Sequence, residues 1–310
     1  MKIVFMGTPD FAVPSLNALF GAGHEVQAVF CQPDKPKGRG NKITPPPVKV
    51  AAAEKNVPVY QPVSLKNGGE EFIGILRDLA PDCIVVAAYG KILPKAVLDI
   101  PKYGCVNVHG SLLPKYRGAG PIQWAVLNDE KTTGITTMLM GEGLDTGDML
   151  LKCETEIGEN ETAAELFDRL ADMGAELLLT TLEKLEKGEV TPVPQNEDEA
   201  SYAPMLSKEL CPIDFTKTAR QVHKQICGLS DWPCATTTVE GKRLKVYRSE
   251  IVDGKSNAVP GTIVKAKDFT VACGDGLVRF TEIQAEGSKR MKTADYLRGK
   301  PVKEGTVLGK

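Results

Sequence analysis

The chain has 310 residues, 42% of them hydrophobic and 25% charged, which excludes a disordered polypeptide and predicts two globular domains at roughly 150 residues each. No run approaches the roughly 18 uncharged apolar residues of a membrane span. The strand-like Lys2-Ile3-Val4-Phe5-Met6 is cut short by Gly7-Thr8-Pro9-Asp10, unlike a signal peptide, so a cytoplasmic location is expected.

The net charge of −2 conceals an asymmetry: residues 1–207 carry 19 basic against 28 acidic side chains, and residues 208–310 carry 19 against 12. A basic C-terminal third beside an acidic body suggests a polyanionic partner. Eight scattered cysteines form neither a CxxC pair nor a Cys/His cluster, so small buried thiols are expected, with no disulfide framework and no metal site. Three histidines, His24, His109 and His223, leave few places for a neutral-pH proton shuttle.

In chain order, Ile3–Met6 reads as a strand and Pro14–Phe20 as a helix stopped by Gly21. Glu25–Phe30 is the next strand; Val48–Glu54 and Glu71–Leu79 are helices, the second ended by Pro81. Asp82–Ala88 is nearly all apolar, as in a strand buried on both faces of a parallel sheet. Cys105–Val108, Gly134–Met140 and Met149–Cys153 complete the strands. Thr162-Ala163-Ala164-Glu165 is a capping-box signature that opens a long helix with an apolar stripe, ended by Gly188. This alternation predicts a doubly wound, Rossmann-like α/β domain over residues 1–189.

Residues 190–207, with prolines and acids and no periodicity, read as an exposed linker. Residues 208–310 change style. A helix around Ala219–Cys227 precedes short β-like runs, with Glu240-Gly241 and Asp275-Gly276 as turn signals, so an OB-like β-barrel is expected.

The dinucleotide fingerprint G-x-G-x-x-G is missing after the first strand, and no G-x-x-x-x-G-K-[ST] phosphate loop occurs. The concentrated signal lies instead in Val106-Asn107-Val108-His109, followed by Gly110-Ser111-Leu112-Leu113-Pro114-Lys115-Tyr116-Arg117-Gly118. Asn107 and His109 are two apart on a strand and so share a face, at the C-terminal end where open α/β sheets place their sites. An amide donor beside an imidazole suits acyl transfer: Asn107 donates to a developing oxyanion and His109 moves a proton. Taken singly, each has an ordinary alternative as a strand-end or turn residue. A second segment, Gly143-Leu144-Asp145-Thr146-Gly147-Asp148, adds acids in a glycine-rich loop, where Asp145 either orients His109, holds a water against it, or sits in a solvated turn.

Together, N-x-H, S-L-L-P-x-Y-R-G and G-L-D-T-G-D resemble the 10-formyltetrahydrofolate-dependent formyltransferases and hydrolases. The resemblance implies a catalytic triad of Asn107, His109 and Asp145, 10-formyltetrahydrofolate as formyl donor, and no metal. It also implies a folate pocket lined by Tyr89, Gly90, Ile92 and Leu93 and by the turn Ser111, Leu112, Leu113 and Pro114. Further stretches are similar to the branch acting on initiator methionyl-tRNA: Gly7–Ala12, Gln32–Gly40, Pro46–Lys49, Ala88–Pro94 and the basic C-terminal region. For that partner the resemblance implies contacts from Lys35, Lys37, Arg39 and Lys42 in a basic loop and from Lys208 beyond the linker. A monomer is expected. Two other readings stay open: the same chemistry on a nucleotide sugar, a purine precursor or water, and an RNA-binding protein on a catalytically silent version of the fold.

Overall fold

The computed structural model describes every residue except Gly38, Arg39, Asn41 and Lys310, together with the side chain of Lys37. Two compact units emerge: Met1–Pro121 with Thr133–Thr155 and Phe167–Ala203, and Ile122–Thr132 with Glu156–Leu166 and Pro204–Lys310.

In the chain up to residue 203 the strands are β1 (Lys2–Gly7), β2 (Glu25–Phe30), β3 (Lys35–Lys37), β4 (Lys42–Thr44), β5 (Val59–Tyr60), β6 (Cys83–Ala87), β7 (Cys105–His109), β8 (Arg117–Gly118), β9 (Thr132–Leu139), β10 (Met149–Glu156) and β11 (Tyr202–Ala203). The helices are α1 (Ala12–Gly21), α2 (Pro47–Glu54), α3 (Glu70–Leu79), α4 (Lys95–Leu98), α5 (Pro121–Leu127) and α6 (Ala163–Lys187). The main sheet runs β10-β9-β7-β6-β1-β2-β5. Strand β1 is parallel to β2 and β6, and β7 is parallel to β6, whereas β9 runs antiparallel to β7. Parallel strands buried on both faces need near-continuous apolar runs, and every residue of β6 and β7 is buried.

The chain winds outward from β1 through β2 to β5, then returns to β6 on the other side of β1. That reversal is the topological switch point, where ligand crevices form beyond the carboxyl ends of the strands. The capping box expected at Thr162 is present: its amide donates to Glu165 Oε2 at 3.0 Å, and the Glu165 amide donates to Thr162 Oγ1 at 3.3 Å.

The segment expected as a linker is exposed over most of residues 191–199, yet much of it is bonded. Val193 forms a bridge with Met149, and β11 pairs in parallel with β8. Residues through Ala203 therefore group with the first unit.

The second unit contains α7 (Ala219–Leu229), β12 (Ala235–Val239), β13 (Lys242–Val252), β14 (Ile263–Lys265), β15 (Thr270–Ala272), β16 (Leu277–Ala285), β17 (Met291–Lys292) and α8 (Thr293–Gly299). The strands form an antiparallel sheet in the order β12-β13-β16-β15-β14, with β17 on β16. The sequence predicts an OB-like β-barrel here; the antiparallel sheet is present, but among the described residues no ladder joins β12 to β14 to close it into a barrel. Its core holds Val222, Ile226, Val246, Phe269, Val278 and Phe280. Two excursions of the chain belong here for physical reasons. Arg220 bonds the Asp129 carboxylate and, at 2.9 Å, Glu159, while Trp124 and Leu127 pack on the core.

Candidate active site

Strand β7 is fixed on both sides, with Asn107 opposite Val86 of β6 and Met138 of β9, and His109 opposite Thr136. Asn107 and His109 are 8% and 5% exposed. Asp145 approaches from the loop between β9 and β10. Its Oδ1 lies 3.5 Å from Asn107 Nδ2, its Oδ2 lies 3.7 Å from His109 Nδ1, and Oδ2 accepts the Gly118 amide at 2.8 Å. The three residues singled out in the sequence therefore converge.

The tautomer of His109 follows from its partner. Nε2 lies 2.9 Å from the Tyr116 carbonyl oxygen, which can only accept, so Nε2 carries hydrogen. In the neutral ring Nδ1 then presents a lone pair towards the Asp145 carboxylate. A proton arriving at Nδ1 would create an imidazolium–carboxylate pair in a nearly buried setting.

Two residues here occupy the left-handed region that non-glycine side chains rarely adopt: Tyr116 at φ 61° and Asp145 at φ 52°. Such conformations persist where surrounding contacts over-determine them. Gly147 is part of that restraint, because a Cβ there would stand 1.8 Å from the Leu139 carbonyl oxygen. Gly118, at φ 112°, lets the backbone pass close to Ala203, whose oxygen would be 2.9 Å from an added Cβ.

The expected folate-lining residues fall into two groups. Tyr89 and Gly90 follow β6 at the switch point. Gln32 Nε2 donates to the Tyr89 and Gly90 carbonyls at 3.1 and 3.2 Å, and Thr8 Oγ1 donates to the Tyr89 carbonyl at 3.2 Å. Tyr89 and Leu93 are buried in the core, whereas Ile92 is exposed. Ser111, Leu112, Leu113 and Pro114 follow β7 and are held to β9 through Thr136, whose Oγ1 donates to the Ser111 carbonyl at 2.7 Å and accepts the Leu113 amide at 3.1 Å. Leu113 is fully buried, and Ser111 Oγ is committed to the Lys115 carbonyl at 2.6 Å.

The residues expected to touch nucleic acid belong to both units. Lys35 and Lys42 are exposed on a short hairpin, β3–β4, that pairs Lys35 with Thr44 and Lys37 with Lys42. Its base is tied by Lys49, which contacts both Asp34 oxygens at 2.9 Å and Gln61 Oε1 at 2.8 Å. Arg39 lies outside the described residues. Lys208 is exposed in the second unit.

Sequence reasoning missed Arg117, Gln195 and Glu197. Arg117 is fully buried; its Nε donates to Gln195 Oε1 at 2.9 Å, and its two Nη atoms fork onto Glu197 at 2.9 and 2.8 Å. Arg117 stood inside the quoted motif, but its partners lie about 80 residues away, beyond the reach of local pattern reading.

Other reactive side chains are structural. Burial pushes the thiols of Cys83, Cys227 and Cys273 up to about 12 and those of Cys31 and Cys234 up to about 11, so none of these five is a thiolate nucleophile at neutral pH. His223 is buried between Ser249 Oγ, at 2.9 Å, and the Glu159 carbonyl, at 3.1 Å, and burial lowers its pKa. Among the described residues no His/Cys/Asp/Glu group could hold a metal, and no helix is long and apolar enough to cross a membrane.

Residues 1–182 match the family model described as formyl transferase, and residues 205–301 match formyl transferase, C-terminal domain. The chain belongs to the formyl transferase family. Within it, the chain is 52% identical to the methionyl-tRNA formyltransferase of Caldanaerobacter subterraneus subsp. tengcongensis, across 99% of this chain and 100% of that one. It is 53% identical to the methionyl-tRNA formyltransferase of Acetivibrio thermocellus, across 100% of both. Among solved structures, an N-formyltransferase from Helicobacter canadensis, in complex with folinic acid and dTDP-3-aminofucose, superposes with a TM-score of 0.68 at 19% identity, covering 92% of this chain and 99% of that one. HypX from Aquifex aeolicus, in complex with tetrahydrofolic acid, gives 0.66 at 19% identity over 96% of this chain and 47% of its own. Both share the fold.

Proposed function

We propose that this chain transfers the formyl group of 10-formyltetrahydrofolate to the α-amine of methionyl initiator tRNA. The observation that carries the reading is the convergence of Asn107, His109 and Asp145 at the C-terminal end of β7 in a family member half identical over its whole length to methionyl-tRNA formyltransferases.

The neutral amine attacks the formyl carbon, a C–N bond forms, and the carbonyl oxygen becomes an oxyanion. Asn107 carries two N–H groups, one leaning on Asp145 at 3.5 Å and the other free to meet the oxyanion. One such donor is typically worth about 10²–10³ in rate. His109 takes the ammonium proton at Nδ1, where Asp145 stabilises the imidazolium, and the proton is returned to N10 as the C–N10 bond breaks. Positioned proton transfer contributes about 10²–10⁴. The donor would rest between the Tyr89–Gly90 backbone and the Ser111–Pro114 turn.

Lys35, Lys37, Arg39 and Lys42 before the linker and Lys208 after it are proposed to meet tRNA, helped by the excess of basic residues after 207. Contacts of that kind go to phosphates and supply affinity more than sequence reading. The same reading makes the protein a cytoplasmic monomer with a catalytic region before the linker and a tRNA-binding region after it. Incubation with 10-formyltetrahydrofolate and methionyl initiator tRNA should give a formylmethionyl ester whose amide bond survives base treatment. Release of formate without acylated product would instead indicate a hydrolase.

A further inference from the structure

We propose that Gln195 is a positioning residue for Asp145, and that residues 195–203 form a strap that holds both partners of His109. Gln195 Nε2 donates to two backbone carbonyls of the same loop, Asp145 and Gly147, each at 2.8 Å. Its Oε1 accepts from Arg117 Nε, whose guanidinium is fixed in turn by the Glu197 carboxylate. One amide thus pins both ends of the turn that carries Asp145 in its left-handed conformation.

The strap also grips the backbone opposite. The Arg117 amide donates to the Ser201 carbonyl at 2.8 Å, the Tyr116 amide to Ser201 Oγ at 2.9 Å, and the Ala119 amide to the Ala203 carbonyl at 2.9 Å. That same stretch supplies the Tyr116 carbonyl that sets the His109 tautomer and the Gly118 amide that binds Asp145 Oδ2. Both the carboxylate and the imidazole therefore rest on residues 116–118, which are gripped in turn by a segment that looks, from composition, like an unstructured connector.

The catalytic part of this inference rests on the reading of Asp145 given under Proposed function; the hold on the loop does not. The test compares Gln195→Leu, which keeps bulk and loses every hydrogen bond, with Gln195→Glu, which keeps the acceptor for Arg117 and loses the amide donors. Amide exchange of residues 143–148 should accelerate in both full-length variants. A displacement of a catalytic group by about 1 Å costs on the order of 10² in rate, so kcat should fall about 10–100-fold while KM for each substrate holds within about twofold. In an Asp145→Asn background, Gln195→Leu should remove little more, because groups acting as a unit are not independent.

Unchanged loop exchange with unchanged kcat overturns the proposal, as do losses that multiply in the double variant. Faster loop exchange in the Gln195 variants, together with normal kcat in Asp145→Asn alone, would keep Gln195 as the anchor of the loop and discard Asp145 as part of the catalytic set. A defect confined to KM would place Gln195 in substrate binding and overturn its positioning role.

Discussion

Asp145→Asn removes one charge and turns the oxygen that meets Asn107 Nδ2 at a long 3.5 Å into an amide donor. The amide oxygen of asparagine can still accept the Gly118 amide that Asp145 Oδ2 binds at 2.8 Å, so the loop should stay in place. What disappears is the attraction between a carboxylate and an imidazolium whose nearest atoms are 3.7 Å apart, with side chains 14% and 6% exposed. At that separation and an effective dielectric of about 20, the Coulomb energy is about 4 kcal/mol. If the full charge develops on His109 in the transition state, that energy corresponds to a rate factor of about 10³. The expected outcome is a single-turnover transfer rate about 10²–10³ below the parent at saturating folate and tRNA. Melting should stay within about 2 °C, the shift expected from less than about 1 kcal/mol in a domain of this size. An Asp145→Asn enzyme within about threefold of the parent rate would refute the argument that the pair stabilises a proton in transit.

Gly147→Ala places a Cβ 1.8 Å from the Leu139 carbonyl oxygen, so the loop must shift; overpacking typically costs about 1–3 kcal/mol, readable as a lower melting temperature together with lost transfer. Asp129 is held below the usual carboxylate range, first by its hydrogen bonds to Arg220. A depressed folded-state value means stability present at neutral pH and lost as pH falls below about 3.9, the unfolded value, so Asp129→Asn should melt lower at pH 7 and show a flatter loss in acid. Affinity for tRNA should fall steeply between about 50 and 200 mM salt while folate affinity barely changes, as phosphate contacts by exposed lysines require; parallel salt dependences would argue against them.

The strands were legible because buried parallel strands leave little compositional choice. Asp82–Ala88 was read from its apolar run and appears as Cys83–Ala87, and Glu25–Phe30 appears unaltered. The β3–β4 hairpin was not legible, because Pro36 and three charged residues give no alternating pattern, and its ladder is only three residues long. Asn107, His109 and Asp145 could be picked out since strand periodicity places the first two on one face and glycines frame the third. Gln195 and Glu197 could not. Their meaning lies in contacts made across about 80 residues to a buried arginine, and their own neighbourhood has the composition of a solvated connector. The grouping of 122–132 and 156–166 with the second unit was not legible for a similar reason. Asp129 and Glu159 join the second unit through Arg220, a tertiary choice that no local window contains.

The most direct test of the central claim is the single-turnover rate of formyl transfer from 10-formyltetrahydrofolate to methionyl initiator tRNA in Asn107→Ala, His109→Ala, Asp145→Ala and the triple variant. If the three side chains act as one unit, each single change lowers the rate by at least about 10², and the triple variant falls little below the worst single one. Single losses that multiply through to the triple variant, or near-parental turnover in any of the three, would contradict a shared catalytic role.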